Sequence, residues 1–144
     1  MPPNCDFIID DYNLPFTETN KYDLIHEREL LGTIADYPAF YQGIFDALVP
    51  GGWLDCQTVD VSGYYSQKLG DAILPSDHIA QASLEFAVKA GESAGMEFRI
   101  ADKIEGWLKD AGFVNISIDL RRVPLGTWPR DKRQKELGAW NVSL

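Results

Sequence analysis

The sequence predicts an α/β domain with a mostly parallel sheet and flanking helices. Short apolar runs typical of strands alternate along the chain with longer segments whose apolar residues recur at helical spacing. The 144 residues are 45% hydrophobic, which is enough to bury a core, and no repeat or linker divides them. We therefore expect a single domain over residues 1–144.

Three strands and one helix are predicted in the first part of the chain. The strands are residues 7–9, 22–26 and 53–59. The helix follows the second strand, because Asp36 has an N-cap side chain and Pro38 is tolerated in a first turn. Pro50, with two glycines after it, is expected to end this helix.

The second part of the chain is predicted to be mostly helical. After an irregular segment at residues 62–74, the predicted elements are helices over residues 76–94 and 101–111, a strand over residues 114–120 and a last helix from residue 129. Ser76 is the expected N-cap of the first of these helices. We expect Trp53, Trp107 and Trp140 to lie in the core.

Charge and cysteine content exclude several classes of function. Thirteen basic residues against 22 acidic ones give a net charge of −9, which repels a nucleic-acid backbone. No apolar run is long enough to span a membrane, and the first residues do not have the pattern of a signal peptide. Cys5 and Cys56 belong to no metal-binding motif, so we expect both to be reduced core residues of a cytoplasmic protein without a metal site.

Six blocks of sequence carry a resemblance to a known family. In order, they are residues 22–28, 32–38, 48–54, 111–114, 123–129 and 136–138. Together they resemble the fungal S-adenosylmethionine-dependent methyltransferases of secondary metabolism, including those like the global regulator of fungal metabolite clusters. The resemblance runs from about Pro2 to Leu144. It implies a Rossmann-like, doubly wound sheet, although no glycine-rich turn follows a predicted strand here.

The resemblance also implies that this is a partial methyltransferase fold. In the family, the first strand ends in a glycine-rich loop for the cofactor, and the second ends in an acid that holds the ribose. This chain is expected to start at the third strand and to stop before the last one. The missing strands would leave open sheet edges, so we expect a homodimer or a hetero-complex to complete or rearrange the sheet.

The polar residues at the strand ends have a functional and a structural interpretation each. His26 ends a predicted strand and is either a general acid or base or a residue that fixes the next turn. Arg28 either holds a substrate carboxylate or enolate or pairs with a neighbouring acid. Asp60 is a candidate catalytic residue and Gln57 a candidate substrate contact, because both end another predicted strand.

The aromatic residues of the irregular segment are candidates for the substrate site that the family places there. Tyr64 is expected to donate a hydrogen bond to a substrate carbonyl, and Tyr65 and Trp128 to form walls of the pocket, although packing alone would also explain all three. If S-adenosylmethionine binds, the resemblance places Asp10 and Asp11 near its adenine. Adjacent strand residues point to opposite faces, which favours a strand end and turn over a catalytic pair.

Three functions follow from these expectations. The leading hypothesis is a cofactor-independent protein that binds an apolar polyketide- or terpenoid-like substrate and directs a cyclisation, pericyclic or isomerisation step. The second is a fragment or subunit of an S-adenosylmethionine-dependent methyltransferase that needs another chain. The third is a non-catalytic interaction partner.

Overall fold

A computed structural model describes residues 3–142 as an α/β fold with two small sheets. The strands are β1 (Tyr22–Arg28), β2 (Leu48–Gln57), β3 (Tyr65–Ser66) and β4 (Ala72–Ile73). The helices are α1 (Tyr37–Ala47), α2 (Ile79–Ser93), α3 (Ile104–Ala111) and α4 (Lys132–Val142), with one 3₁₀ turn at Gln67–Leu69. The α/β class and the parallel pairing expected from the sequence are confirmed.

The main sheet consists of β1 and β2, which run parallel and are joined by α1. Opposite residues along this pair are Leu24 and Trp53, His26 and Asp55, and Arg28 and Gln57. The other sheet is the short antiparallel hairpin β3–β4. Since the carboxyl ends of β1 and β2 lie side by side, their last polar side chains share one edge of the sheet.

The core lies on one face of this sheet, where α1 packs against α3. Tyr41 and Ile44 of α1 are its most deeply buried large side chains. Trp107 of α3 stacks on Tyr37, with ring centroids 5.1 Å apart and planes 5° from parallel. The expected core role of Trp107 is therefore confirmed, and the aromatic stack fixes the two helices against each other.

The starts of α1 and α2 show where the sequence predicted the N-cap residue correctly and where it did not. Asp36 caps α1, since its Oδ1 accepts a hydrogen bond of 3.0 Å from the backbone N–H of Ala39, as its side-chain chemistry predicts. Ser76 is not the cap of α2, because the helix starts three residues later. Its N-cap is His78, whose Nδ1 accepts from the N–H of Ala80 at 3.3 Å.

Two predicted strands do not form. Residues 7–9 and 114–120 have no strand partner within residues 3–142, and most of their apolar side chains are exposed. A strand needs a neighbour for its backbone hydrogen bonds, and the sheet β1–β2 offers them none here. The sequence pattern of each segment is that of a strand, but the pairing that would make it one is absent from the described residues.

Several residues expected in the core are exposed. Trp53 is 70% exposed because it lies on the face of β1–β2 that no helix of residues 3–142 covers. Trp140 is exposed because α4 contacts the preceding loop through other residues, among them Gly138. Cys5 is exposed, whereas Cys56 is half-buried against the core as expected.

Candidate functional site

The open face of the sheet carries a polar cluster at its carboxyl edge. His26 Nδ1 lies 2.9 Å from Asp55 Oδ2, and the Nε2 amide of Gln57 donates to the same oxygen at 3.2 Å. The parallel register sets this geometry, since His26 and Asp55 are opposite each other and Gln57 follows two residues later on the same face. Of these three residues, sequence reasoning missed Asp55.

This arrangement gives His26 the geometry of a general base. A carboxylate only accepts hydrogen bonds, so the proton of a neutral His26 ring lies on Nδ1 and points to Asp55. The Nε2 atom then carries the lone pair, and the half-exposed side chain can receive a proton from a bound molecule.

Replacing Asp55 by asparagine is expected to change the tautomer of His26. The side-chain amide of asparagine can donate as well as accept a hydrogen bond, so the preference of the His26 ring for a proton on Nδ1 weakens. Long-range nitrogen–proton spectra of the ring above pH 8 measure the two forms directly. We expect mainly Nδ1–H in the unchanged protein and a mixture in Asp55→Asn. A Gln57→Ala control should keep the Nδ1–H form. An unchanged tautomer in Asp55→Asn would contradict the proposed role of the carboxylate.

Arg28 lies two residues after His26 in β1, so both side chains are on the same face of the sheet. It is exposed, and within residues 3–142 it forms no ion pair with Glu27, Glu29 or Asp36, the neighbours that a structural role would use. The guanidinium is therefore available to a bound anion.

Most of the other predicted site residues lie in loops, and Tyr65 is the first residue of the short strand β3. Asp60 Oδ1 accepts from the N–H of Ser62 at 2.9 Å, so it shapes a turn. The Tyr65 ring stacks under Arg122 at 4.4 Å. Trp128 is exposed, so its alternative core role is wrong. Among the described residues, no hydrogen bond or ion pair connects these side chains, or that of Tyr64, with His26.

Asp10 and Asp11 form a turn. Asp10 Oδ1 accepts from the N–H of Asp11 at 2.8 Å, and Asp11 Oδ1 accepts from the N–H of Asn13 at 3.0 Å. The bond from the N–H of Asn13, two residues later, to Asp11 is that of an Asx turn, whereas Asp10 accepts from the N–H of the next residue. The turn interpretation of this pair is confirmed, while the strand before it is not formed.

Comparison with known proteins identifies the family of the chain. Residues 3–118 match the family model described as a methyltransferase domain, which is well over half of the chain. The chain belongs to the methyltransferase domain family. The resemblance inferred from the six sequence blocks is therefore confirmed at the level of the family.

The methyltransferase domain has relatives in fungal secondary metabolism. It is 34% identical over 138 residues to methyltransferase pytC of Aspergillus terreus, covering 96% of this chain and 41% of the relative. It is 32% identical over 148 residues to the secondary metabolism regulator LAE1 of Cochliobolus heterostrophus, covering 100% of this chain and 47% of the relative. The chain therefore spans less than half the length of these relatives.

The described residues do not by themselves fit S-adenosylmethionine. A site for this zwitterion needs an apolar slot for the adenine and fixed donors or acceptors for the ribose and the amino acid. The Asp10–Asp11 turn is exposed, and residues 7–9 beside it are exposed too, so they form no such slot.

Residues 3–142 also contain no group of three or more potential metal ligands, and none of their helices has the length and apolar character of a membrane span.

The covered face of the sheet holds a buried polar cluster that sequence reasoning missed. Glu27 is only 8% exposed, and its Oε1 accepts from the Tyr41 hydroxyl at 3.4 Å, which in turn lies 3.6 Å from Cys56 Sγ. Burial raises the pKa of the Glu27 carboxyl, and it raises the pKa of the Cys56 thiol to about 12. The thiol is thus neutral and unreactive, which indicates a structural cluster. The alternation of side chains along β1 could have revealed this cluster, because it places Glu27 on the same face of the sheet as the apolar Ile25.

Replacing Glu27 by glutamine is expected to stabilise the protein at neutral pH. Burial raises the pKa of the Glu27 carboxyl in the folded protein above its value in the unfolded chain. The stability that the protonated carboxyl contributes is therefore fully present below the unfolded pKa. It is lost as the pH rises through the folded pKa. Glutamine keeps the acceptor for Tyr41 without the buried charge, so we expect a gain on the order of 1 kcal/mol at pH 8.

Denaturant unfolding across the pH range measures this effect. The gain from Glu27→Gln should be smallest at the acid end of the range in which the protein stays folded and should grow toward pH 8. The exposed Glu136→Gln serves as the matched control and should show no such trend. A pH-independent difference for Glu27→Gln would contradict the account.

Proposed function

We propose that this chain is part of an S-adenosylmethionine-dependent methyltransferase of fungal secondary metabolism and that it acts together with polypeptide that carries the cofactor-binding strands. The observation that carries the proposal is the methyltransferase domain match over residues 3–118 in a chain that spans only 41% of its relative pytC. This interpretation replaces cofactor-independent cyclisation as the leading hypothesis.

The open sheet supports a requirement for further polypeptide. Within residues 3–142, β1 and β2 pair only with each other, so each has an edge without a strand partner. Two-stranded sheets are marginally stable on their own, so the free edges of β1 and β2 favour pairing with further strands. A continuation of the same chain, a second copy in a homodimer, or a different subunit would pair with these edges, but a second copy would not supply the cofactor-binding strands. S-adenosylmethionine is the proposed cofactor of the completed protein.

The proposed contribution of this chain is to bind and prepare the substrate. His26 accepts a proton at Nε2 from the substrate group that is to be methylated, while Asp55 holds the ring through Nδ1. Arg28 on the same face holds an anionic group of the substrate. The apolar surface of Leu24 and Trp53 beside this cluster favours an apolar natural product as the substrate.

Cyclisation without a cofactor and non-catalytic partner binding stay predictions. A cyclase has to enclose its substrate and exclude water. The clefts formed by the described residues are grooves open to solvent, so no observation favours a cyclase over a methyltransferase.

A chimera tests the proposed function. The segment of pytC that matches this chain is replaced by the 144 residues, and thermal unfolding is recorded with and without S-adenosylmethionine. We expect the cofactor to raise the melting temperature by about 5 °C at concentrations about 100-fold above Kd, since it binds only the folded state. Unchanged pytC is the positive control. A chimera that folds but gains no stability from the cofactor would contradict the proposal.

A further inference from the structure

We propose that the groove between the β3–β4 hairpin and α2 is a binding site for a compact apolar carboxylate. The site is separate from the His26–Asp55 cluster and does not depend on methyl transfer by the chain. Three properties of the groove carry the inference: its apolar residues, a fixed glutamine whose Nε2 has no partner among the described residues, and a lysine without an acidic partner.

The walls of the groove are apolar and accessible. Ile73 and Leu74 of the hairpin face Ala82 and Phe86 of α2 across a volume of about 570 Å³, which is within the range of small-molecule sites. Phe86 is 76% exposed, so its ring has no cover from the described part of the chain. A contiguous apolar surface of this kind indicates a ligand or a partner.

Gln81 supplies a fixed hydrogen-bond donor. Its side chain lines the groove and is only 4% exposed, and its Oε1 accepts from the backbone N–H of Tyr64 at 3.0 Å. This bond fixes which end of the amide is the donor. Nε2 has no hydrogen-bond partner among residues 3–142, and it is not fully shielded from solvent, so a water molecule or a ligand can accept its hydrogen bond. It is thus placed to bind an acceptor oxygen of a molecule in the groove.

Lys89 supplies a positive charge at the other end of the groove. Glu85 lies between the two and forms an ion pair with Arg99 at 2.9 Å, which Arg99 shares with Glu92 at 3.2 Å. Lys89 has no carboxylate within ion-pair distance in the described part of the chain. Its ammonium group is therefore free to bind an anion at the rim of the groove.

The helix sets the length of the ligand. Gln81 and Lys89 are two turns apart on α2, which corresponds to about 12 Å along the axis, with Phe86 between them. A molecule that satisfies all three has an acceptor oxygen at one end, a flat apolar body and a carboxylate at the other end. 6-Methoxy-2-naphthoate has these features and serves as the probe.

Nuclear magnetic resonance titration of the ¹⁵N-labelled chain tests the site. We expect the naphthoate to shift the resonances of residues 73–74 and 81–89, including the side-chain amide of Gln81. In Lys89→Gln the affinity should fall about fivefold, as expected for the loss of one exposed ion pair. The neutral naphthamide should bind both proteins equally. Lys132→Gln, at the start of α4, is the matched control and should bind the acid unchanged.

A second variant tests the donor. Gln81→Glu keeps the acceptor for the N–H of Tyr64 but replaces the donor by a carboxylate, so binding of the acid should be lost while the fold is kept. The proposal is overturned if the shifts cluster around Leu24 and Trp53 instead, if Lys89→Gln binds the acid as tightly as the unchanged chain, or if no saturable binding occurs. Because no cofactor is present, these outcomes are independent of the chimera experiment.

Discussion

Replacing Ile44 by alanine is expected to lower the free energy of unfolding by about 2–5 kcal/mol. Ile44 is 1% exposed and belongs to the cluster of buried side chains that joins α1, α3 and the sheet. The change removes buried methyl groups and leaves a cavity in a cluster of closely packed side chains.

Denaturant unfolding of two variants measures this effect. Ile8→Ala makes the same chemical change at a side chain that is 84% exposed, so we expect it to alter the unfolding free energy by less than about 0.5 kcal/mol. Equal losses in the two variants would show that residues 7–9 are packed in solution, and would contradict the described fold of this segment.

Two glycine-to-alanine changes in helices are expected to have opposite signs. A Cβ at Gly91 of α2 would lie well inside contact distance of Phe98 Cε2, and Gly32 contacts the same ring, so the ring has little room to move away. We expect Gly91→Ala to destabilise the protein by about 1–3 kcal/mol through overpacking. The glycines thus allow Phe98 to fill the space between α2 and the loop after β1.

Gly106 of α3 is the matched control. A Cβ there would meet nothing within 4 Å, so alanine adds only its better helix propensity. We expect Gly106→Ala to stabilise the protein by about 0.5–1 kcal/mol. Thermal or denaturant unfolding of both variants gives the two signs directly. A stabilised Gly91→Ala would show that the Phe98 ring does not occupy this position.

Elements with local signals were predictable from the sequence. Asp36 and Pro38 located the start of α1, and the spacing of Trp107 located the buried side of α3. Such features depend on a few neighbouring residues, so the sequence pattern contains all the information needed. The segments at residues 7–9 and 114–120 have strand-like sequences too, but a strand exists only if another strand pairs with it.

The same distinction applies to the candidate site. His26, Arg28 and Gln57 were predicted as site residues because strand ends collect functional polar groups. Asp55 was missed, since its role depends on the parallel register that places it opposite His26. The exposure of Trp53 was missed because an aromatic in a strand is ordinarily covered, and only the tertiary structure shows that one face of this sheet is open.

Isothermal titration of the 144-residue chain with S-adenosylmethionine tests the central claim most directly. The claim is that the chain is part of a methyltransferase whose cofactor site needs further polypeptide. We predict no saturable heat up to about 1 mM cofactor for the folded chain alone, and binding of about micromolar affinity for the pytC chimera under the same conditions. Micromolar binding by the folded chain alone would contradict this account, because the cofactor site would then be complete within these residues or their self-assembly.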